Sequence, residues 1–207
     1  MTIAILADNS AFEEISKKGF ENSIEWIRAD TLKSLTMIEA DAYFDLQFEA
    51  SGDRVNALRF VLPKPVFISA VTNTLEDLGE QRFIRINAWA GMINRTLIEL
   101  VIGKETSAEY TMNGLGWKYT AVADVPGMIT PRIISAIINE AYFALADGIS
   151  TEQEIDMAMQ AGTNYPYGPF EWAKLIGHEE ILTLLKSLYP FKRGYDIAPA
   201  LVNKSND

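Results

Sequence analysis

Seven short apolar runs, rich in β-branched and aromatic residues, recur along the first 124 residues of the chain. Such runs, at this length, are typical of β-strands. They are residues 3–7, 23–29, 42–48, 66–71, 83–88, 96–102 and 119–123. Stretches with helical periodicity separate several of them, at residues 10–18, 53–60 and 107–115. Because strands that alternate with helices pair mostly in parallel, the pattern favours a doubly wound α/β sheet.

After the Asp-Val-Pro-Gly sequence at residues 124–127, helical periodicity replaces the strands. Between positions 133 and 145, apolar residues return to one face of a helix, and Gly148 stands where a left-handed residue would end it. The chain is therefore predicted to be an α/β protein in two domains. A Rossmann-like, mostly parallel sheet over residues 1–124 is followed by a small all-α helical domain over residues 125–207.

Three further helices are expected in the second domain. Thr151, with a glutamate three residues on, has the pattern of a capping box that begins the second helix, and Gly162 is expected to end it. Pro169 falls at the first position of a third helix, where its missing N–H costs nothing. A fourth helix covers residues 181–188 and stops at Pro190.

Charge and cysteine content exclude several classes of function. The chain has 207 residues, a net charge of -10 and a pI near 4.7, which argues against nucleic acid or an anionic membrane as a partner. It contains no cysteine, so disulfides, thiolate metal sites and a cysteine nucleophile are excluded. No metal site is expected elsewhere either. Without a basic leader or a long uncharged apolar segment, the protein is expected to be cytoplasmic.

The most specific motif lies at residues 139–177. It combines Glu140-Ala141, Gly148, Ile155-Asp156 and the run YPYGPFE at residues 165–171, in that order and spacing. It resembles the C-terminal helical domain of the 3-hydroxyacyl-CoA dehydrogenases, a domain of the 6-phosphogluconate dehydrogenase C-terminal type. That family couples NAD reduction to oxidation of a 3-hydroxyacyl thioester. The resemblance implies a homodimer formed through the helical domain and a small-molecule ligand in a cleft between the domains.

The resemblance weakens in the dinucleotide loop after the first strand. A Rossmann turn needs glycines there, because the backbone must approach a pyrophosphate at a helix N-terminus. The three glycine positions hold Ala7, Asn9 and Phe12, and Asp8 adds a negative charge. We therefore expect no cofactor, and NAD only if the protein is an NAD-dependent oxidoreductase.

Asp30 is the one cofactor-binding candidate that the resemblance retains. It falls at the end of the second predicted strand, where the family places its ribose-binding acid. Its alternative role is a solvated cap for a helix at residues 31–35. The family also has a long helical insertion after this strand, which clasps the CoA part of its substrate, whereas only residues 31–39 separate Asp30 from the third strand.

The catalytic positions implied by the resemblance have also changed. The family's His-x-x-Asn-Pro signature corresponds to Asn87 and to Ala90-Gly91. An amide such as that of Asn87 does not titrate, so it can orient a carbonyl group but cannot act as the base. The family's substrate-contacting serine corresponds to Asn73, and the asparagine after the hinge corresponds to Pro131.

Glu99 is the single catalytic candidate. It lies inside the apolar run at residues 96–102 and matches the family's glutamate that orients the catalytic histidine. A carboxylate in an apolar strand is costly unless it is paired. The alternative is that Glu99 faces solvent or pairs with Arg85 or Arg95. His178, the only histidine, is expected at the surface or at a helix start, without a chemical role.

Two hypotheses for the function follow. The first is a diverged protein like the 3-hydroxyacyl-CoA dehydrogenases that lacks normal NAD-dependent dehydrogenase activity and has a binding or scaffold role. The second is an NAD-dependent oxidoreductase acting on a 3-hydroxyacyl-CoA or a smaller 3-hydroxy substrate, with Glu99 as base and Asn87 holding the substrate oxygen. The altered loop and the missing histidine favour the first.

Overall fold

The fold is seen in a computed structural model, which describes residues 1–18, 24–188 and 196–205. The chain forms two compact units, Met1–Met128 and Ile129–Asp207. The first is an α/β unit and the second is all-α. The predicted fold class, a Rossmann-like sheet followed by a small helical domain, is confirmed.

The first unit is built on a seven-stranded sheet in the order β2-β1-β3-β4-β5-β6-β7. Every neighbouring pair is parallel except β5 and β6, which are antiparallel. The strands are β1 (Thr2–Leu6), β2 (Glu25–Ala29), β3 (Ala42–Asp45), β4 (Val66–Ile68), β5 (Ile84–Ile86), β6 (Leu97–Ile102) and β7 (Lys118–Ala121). The strand order reverses between β1 and β3, so the connections after these two strands run in opposite directions across the sheet.

Helices cover both faces of this sheet. They are α1 (Asn9–Lys18), α2 (Leu32–Met37), α3 (Gly52–Arg59) and α4 (Glu109–Gly114). Because successive residues of a strand point to opposite faces, Ile3 and Ile5 join one core cluster while Ala4 and Leu6 join the other. This burial on both faces explains why the strands read as continuous apolar runs rather than as alternating ones.

Between β2 and β3 the chain is short. Residues 30–41, which the structure describes throughout, contain α2 as their only helix. A six-residue helix is too small to form the clasp that the resemblance implied at this point.

The second unit consists of helices. They are α5 (Thr130–Ala146), α6 (Glu152–Thr163), α7 (Pro169–Ile176), α8 (His178–Leu188) and α9 (Pro199–Lys204). Gly148 follows α5 with a φ of 70°, and Pro169 opens α7, as predicted. Pro190 lies outside the described residues. No helix within the described ranges has both the length and the apolarity that crossing a membrane requires.

The end of α6 differs from the prediction. Gly162 lies inside the helix, and Asn164 ends it in the left-handed conformation, with a φ of 56°. Asparagine adopts this conformation more readily than other residues with a Cβ, because its short polar side chain can bond locally. The prediction that Gly162 ends α6 is therefore wrong by two residues, because Asn164 takes the left-handed conformation expected of a glycine.

Asp156 explains much of the motif that carried the resemblance. Its carboxylate, on α6, accepts the Phe170 N–H at 2.8 Å and the Glu171 N–H at 3.2 Å, which caps the N-terminus of α7. A Cβ atom at Gly168 would lie 2.3 Å from Oδ1 of Asp156 and 2.4 Å from its Cβ. Asp156 and Gly168 therefore depend on each other, because the close packing of α6 on α7 requires both residues.

Candidate functional site

The side chain of Asp8 caps the N-terminus of α1. Its Oδ1 accepts the Ala11 N–H at 2.7 Å, and its carbonyl oxygen accepts the Phe12 N–H at 3.1 Å. Unpaired N–H groups and the helix dipole make this end of a helix favourable for an anion. In a dinucleotide-binding loop, the pyrophosphate takes that place. Here a carboxylate of the protein itself occupies it.

Arg28 fastens the same loop from the neighbouring strand β2. Its Nη2 donates to the Ala7 carbonyl oxygen at 2.9 Å and to Asn9 Oδ1 at 2.8 Å. The guanidinium carbon also lies 5.0 Å from the centre of the Phe12 ring. Arg28 therefore contacts Ala7, Asn9 and Phe12, the residues at all three glycine positions of the loop. No signal in the sequence identified Arg28, because its role depends on the pairing of β1 with β2.

Asp30 lies directly after β2 and is exposed. Thr31, and not Asp30, caps α2, because Thr31 Oγ1 accepts the Ser34 N–H at 3.1 Å. The alternative role of Asp30 as a helix cap is therefore wrong. Its carboxylate remains at the carboxyl edge of the sheet, where a ribose-binding acid lies in Rossmann folds.

Asp45, at the end of β3, contributes a buried carboxylate to this edge. The residue is fully buried, and Arg54 donates to its two oxygens, each at 2.7 Å. Burial raises the pKa of Asp45, while the bidentate bond to Arg54 opposes that shift. This carboxylate is committed to an ion pair, so we assign it a structural role.

Asn87 and Glu99 face each other across β5 and β6. The Asn87 N–H donates to the Glu99 carbonyl oxygen at 3.3 Å, so the two side chains project from the same face of the sheet. Both residues are buried, at 3% and 9% exposure, which rules out the alternative that Glu99 faces solvent. Oδ1 of Asn87 is buried and has no hydrogen-bond partner among the described residues. Such an atom is often found at functional sites.

Arg85 is not the partner of Glu99. Its guanidinium is fully buried and donates to Asp124 at 2.6 Å, to the Ala70 carbonyl oxygen at 2.7 Å and to the Val71 carbonyl oxygen at 2.9 Å. Burial lowers the pKa of Arg85, and Asp124 partly reverses the shift. This cluster binds β5 to the loop after β4 and to the segment after β7.

Apolar side chains fill the segment after Asn87, where the family's catalytic signature would lie. Trp89, Met92 and Ile93 are all buried. Oε1 of Glu14, on α1, accepts the Gly91 N–H at 2.7 Å and holds this segment to the helix. This packing supports the position of Asn87.

His178 begins α8, in agreement with the predicted helix-start role. Its Nε2 lies 2.7 Å from the hydroxyl of the buried Tyr142, a contact that sequence reasoning missed. Burial lowers the pKa of His178 and, with Glu152 and Asp156 nearby, raises the pKa of Tyr142 to about 12. Within the described residues, no cluster of His, Asp and Glu side chains is arranged to hold a metal ion.

Comparisons with known proteins match both parts of the chain. Residues 127–205 match the family model described as 3-hydroxyacyl-CoA dehydrogenase, C-terminal domain. The 3-hydroxyadipyl-CoA dehydrogenase of Escherichia coli (strain K12) is 34% identical over 146 residues, which cover 69% of this chain and 27% of that protein. The 3-hydroxybutyryl-CoA dehydrogenase of Clostridioides difficile is 41% identical over 68 residues, which cover 33% of this chain and 24% of that protein. The chain thus matches only about a quarter of the length of either relative.

A solved structure extends the likeness of fold to nearly the whole chain. The (S)-3-hydroxybutyryl-CoA dehydrogenase from Ralstonia eutropha superposes with a TM-score of 0.72 at 19% identity. The superposition covers 98% of this chain and 92% of that chain. At this level of identity the similarity concerns the fold and not the chemistry of the site.

Proposed function

Because the chain belongs to the 3-hydroxyacyl-CoA dehydrogenase family, we propose that it is a diverged member that lacks normal NAD-dependent dehydrogenase activity and has a binding or scaffold role. The observation that carries this proposal is the position of Asp8. Its carboxylate already accepts the Ala11 N–H at the N-terminus of α1, where the pyrophosphate of NAD would have to bind.

The loop residues do not fit a dinucleotide. A phosphate charge about 4 Å from Asp8 would be repelled by about 1 kcal/mol in water and by about 4 kcal/mol in a partly buried site. Phe12 adds a bulky side chain where the family has a glycine. Asn9 stands at a second glycine position, and its side chain is bound by Arg28. The residues of this loop therefore do not fit NAD.

The loss of the base supports the same conclusion. Asn87 stands at the position of the family's histidine, and an amide cannot accept the proton of a hydroxyl group near neutral pH. Asn87, with its buried Oδ1, and Glu99 instead lie opposite each other on neighbouring strands, joined by a backbone hydrogen bond. Such a pair can orient a bound polar group without transferring a hydride.

We expect the wild-type protein to show no NADH binding up to about 1 mM, by calorimetry and by nicotinamide fluorescence. A double variant, Asp8→Asn with Phe12→Gly, should bind NADH at least about tenfold more tightly than wild type, since removing about 1.4 kcal/mol of repulsion and steric conflict has that effect. Asp53→Asn, a change of the same charge at the first turn of α3, is the matched control and should leave binding unchanged. Micromolar binding of NADH by the wild-type protein would contradict the proposal.

A second candidate function is an NAD-dependent oxidoreductase acting on a 3-hydroxyacyl-CoA or a smaller 3-hydroxy substrate. Exposed Asp30 at the end of β2 and the pairing of Glu99 opposite Asn87 favour it. In this function Glu99 accepts the hydroxyl proton and Asn87 holds the oxygen. With NAD and a panel of 3-hydroxyacyl thioesters, the rate of NADH formation, measured as absorbance at the nicotinamide band, would then fall in Glu99→Gln. It would not fall in the exposed control Glu76→Gln. Equal silence of wild type and Glu99→Gln would eliminate this candidate.

We further propose that the protein is a homodimer through its helical unit. One face of α5 is buried by Ile134, Ile138 and Tyr142. Beside that face, Ile133 is 50% exposed and Ile137 is half-buried. An apolar stripe on an otherwise acidic protein is typical of an interface with a second chain.

Light scattering during size-exclusion chromatography tests the dimer. We expect a mass of twice the 23.1 kDa chain at micromolar concentration, and the mass of one chain for Ile133→Asp. Ile149→Asp, at a 72% exposed position beyond the end of α5, is the control and should remain dimeric. A monomeric wild-type protein at that concentration would refute this assembly.

A further inference from the structure

Two lysines and an indole ring border a cavity of about 330 Å³ in the first unit. Lys18 ends α1, Trp117 precedes β7 and Lys118 begins it, while Asn94 and Thr96 add polar groups. We propose that this cavity binds a small organic anion, through a carboxylate or phosphate group. None of these residues belongs to the loop around Asp8 or to the pair of Asn87 and Glu99, so the inference goes beyond the proposed function.

The cavity is bordered by positive charge on an otherwise acidic protein. The protein has a net charge of -10, yet no described carboxylate lies within ion-pair distance of Lys18 or Lys118. Lysines on an acidic protein are readily neutralised by neighbouring acids. Two ammonium groups that border one cavity and are not paired within the described residues therefore favour an anionic ligand.

Lys18 is held in position before any ligand arrives. Its ammonium group donates to the carbonyl oxygen of Arg95 and lies 5.2 Å from the centre of the Trp117 ring. Burial lowers the pKa of Lys18, because part of its hydration is lost without a counter-charge. An anion in the cavity would supply that counter-charge. Lys118, which is exposed, can turn toward the ligand without breaking a described bond.

The cavity also limits the size and shape of the ligand. Its volume is near the lower end of the range for small-molecule sites, about 300–1,000 Å³, and is too small for a macromolecule. The indole of Trp117 and the side chain of Leu115 supply apolar surface beside the cations. This combination suits a flat or short apolar group that carries one oxyanion.

Calorimetric titration of the full chain with benzoate, inorganic phosphate and uncharged benzamide tests the site. We expect benzoate or phosphate to bind with a dissociation constant of about 1 mM or tighter, and benzamide at least about tenfold more weakly than the better anion. Tighter binding of benzoate assigns a carboxylate ligand, and tighter binding of phosphate assigns a phosphate ligand. No binding of either anion at 10-fold higher concentration, about 10 mM, or equal binding of benzamide, overturns the proposal.

Variants distinguish this cavity from general surface charge. Lys118→Gln should weaken anion binding by about fivefold or more, as should Lys18→Met, whereas Lys18→Arg keeps the charge and should retain binding. Lys33→Gln removes one exposed positive charge from α2 and should have no effect. Circular dichroism verifies that each variant is folded. Unchanged binding by Lys118→Gln, or an equal loss in Lys33→Gln, would place the anion elsewhere.

Discussion

Replacement of Arg85 by leucine is expected to lower the free energy of unfolding by about 3–5 kcal/mol, the usual cost of removing one partner from a buried ion pair. The guanidinium has no exposed surface, and it donates to Asp124 and to the carbonyl oxygens of Ala70 and Val71. Leucine would remove the guanidinium donor from all three acceptors, and the Val71 carbonyl oxygen would keep the Gly127 N–H, which lies 2.9 Å away. Asp124 would keep only its bonds from the Leu75 N–H.

Urea unfolding followed by circular dichroism measures this effect. Arg85→Lys keeps the charge but lacks the planar fork that reaches several acceptors at once, so we expect an intermediate loss of stability. Lys104→Leu removes the same charge from an exposed position and should change the free energy of unfolding by less than about 0.5 kcal/mol. A loss below about 1 kcal/mol in Arg85→Leu would show that the cluster does not hold the sheet together.

Arg85 also shows where sequence reasoning reaches its limit. Its place in a strand was predictable, because the buried runs of a parallel sheet are apolar on both faces and stand out from the helices between them. Its partner was not. Glu99 was the candidate partner from the sequence, whereas Asp124, the residue that Arg85 binds, lies 39 residues away and is brought close only by the fold.

At the candidate site, too, some features were predictable from the sequence and others depended on the fold. The missing glycines at Ala7, Asn9 and Phe12 predict a poor dinucleotide loop, since a glycine's absence is visible in the sequence itself. That Asp8 caps α1 and that Arg28 crosses from β2 to bind the loop depends on strand pairing. Short polar side chains were equally ambiguous at helix ends. Thr31 rather than Asp30 caps α2, because both can accept a backbone N–H and only geometry selects one.

The helical unit leads to the second large expected effect, that of Gly168→Ala. The backbone at Gly168 has a φ of -76° and a ψ of 167°, which alanine adopts freely, so no conformational strain is involved. The cost is steric, because the new Cβ would lie 2.3–2.4 Å from the Oδ1, Cβ and Cγ atoms of Asp156. We expect a loss of about 2–3 kcal/mol in the free energy of unfolding, as the two helices must separate.

A double-mutant cycle identifies the cause of that loss. Asp156→Gly removes all three clashing atoms and should cost about 2 kcal/mol by itself, from the lost cap and from glycine within a helix. Combined with Gly168→Ala it should cost little more, rather than the sum of about 4–5 kcal/mol, because the steric conflict no longer exists. Gly162→Ala is the control, since a Cβ at that position of α6 meets no atom within 4 Å and alanine favours the helix. Additive losses in the double variant would show that Asp156 and Gly168 act independently, and the motif would then need another explanation.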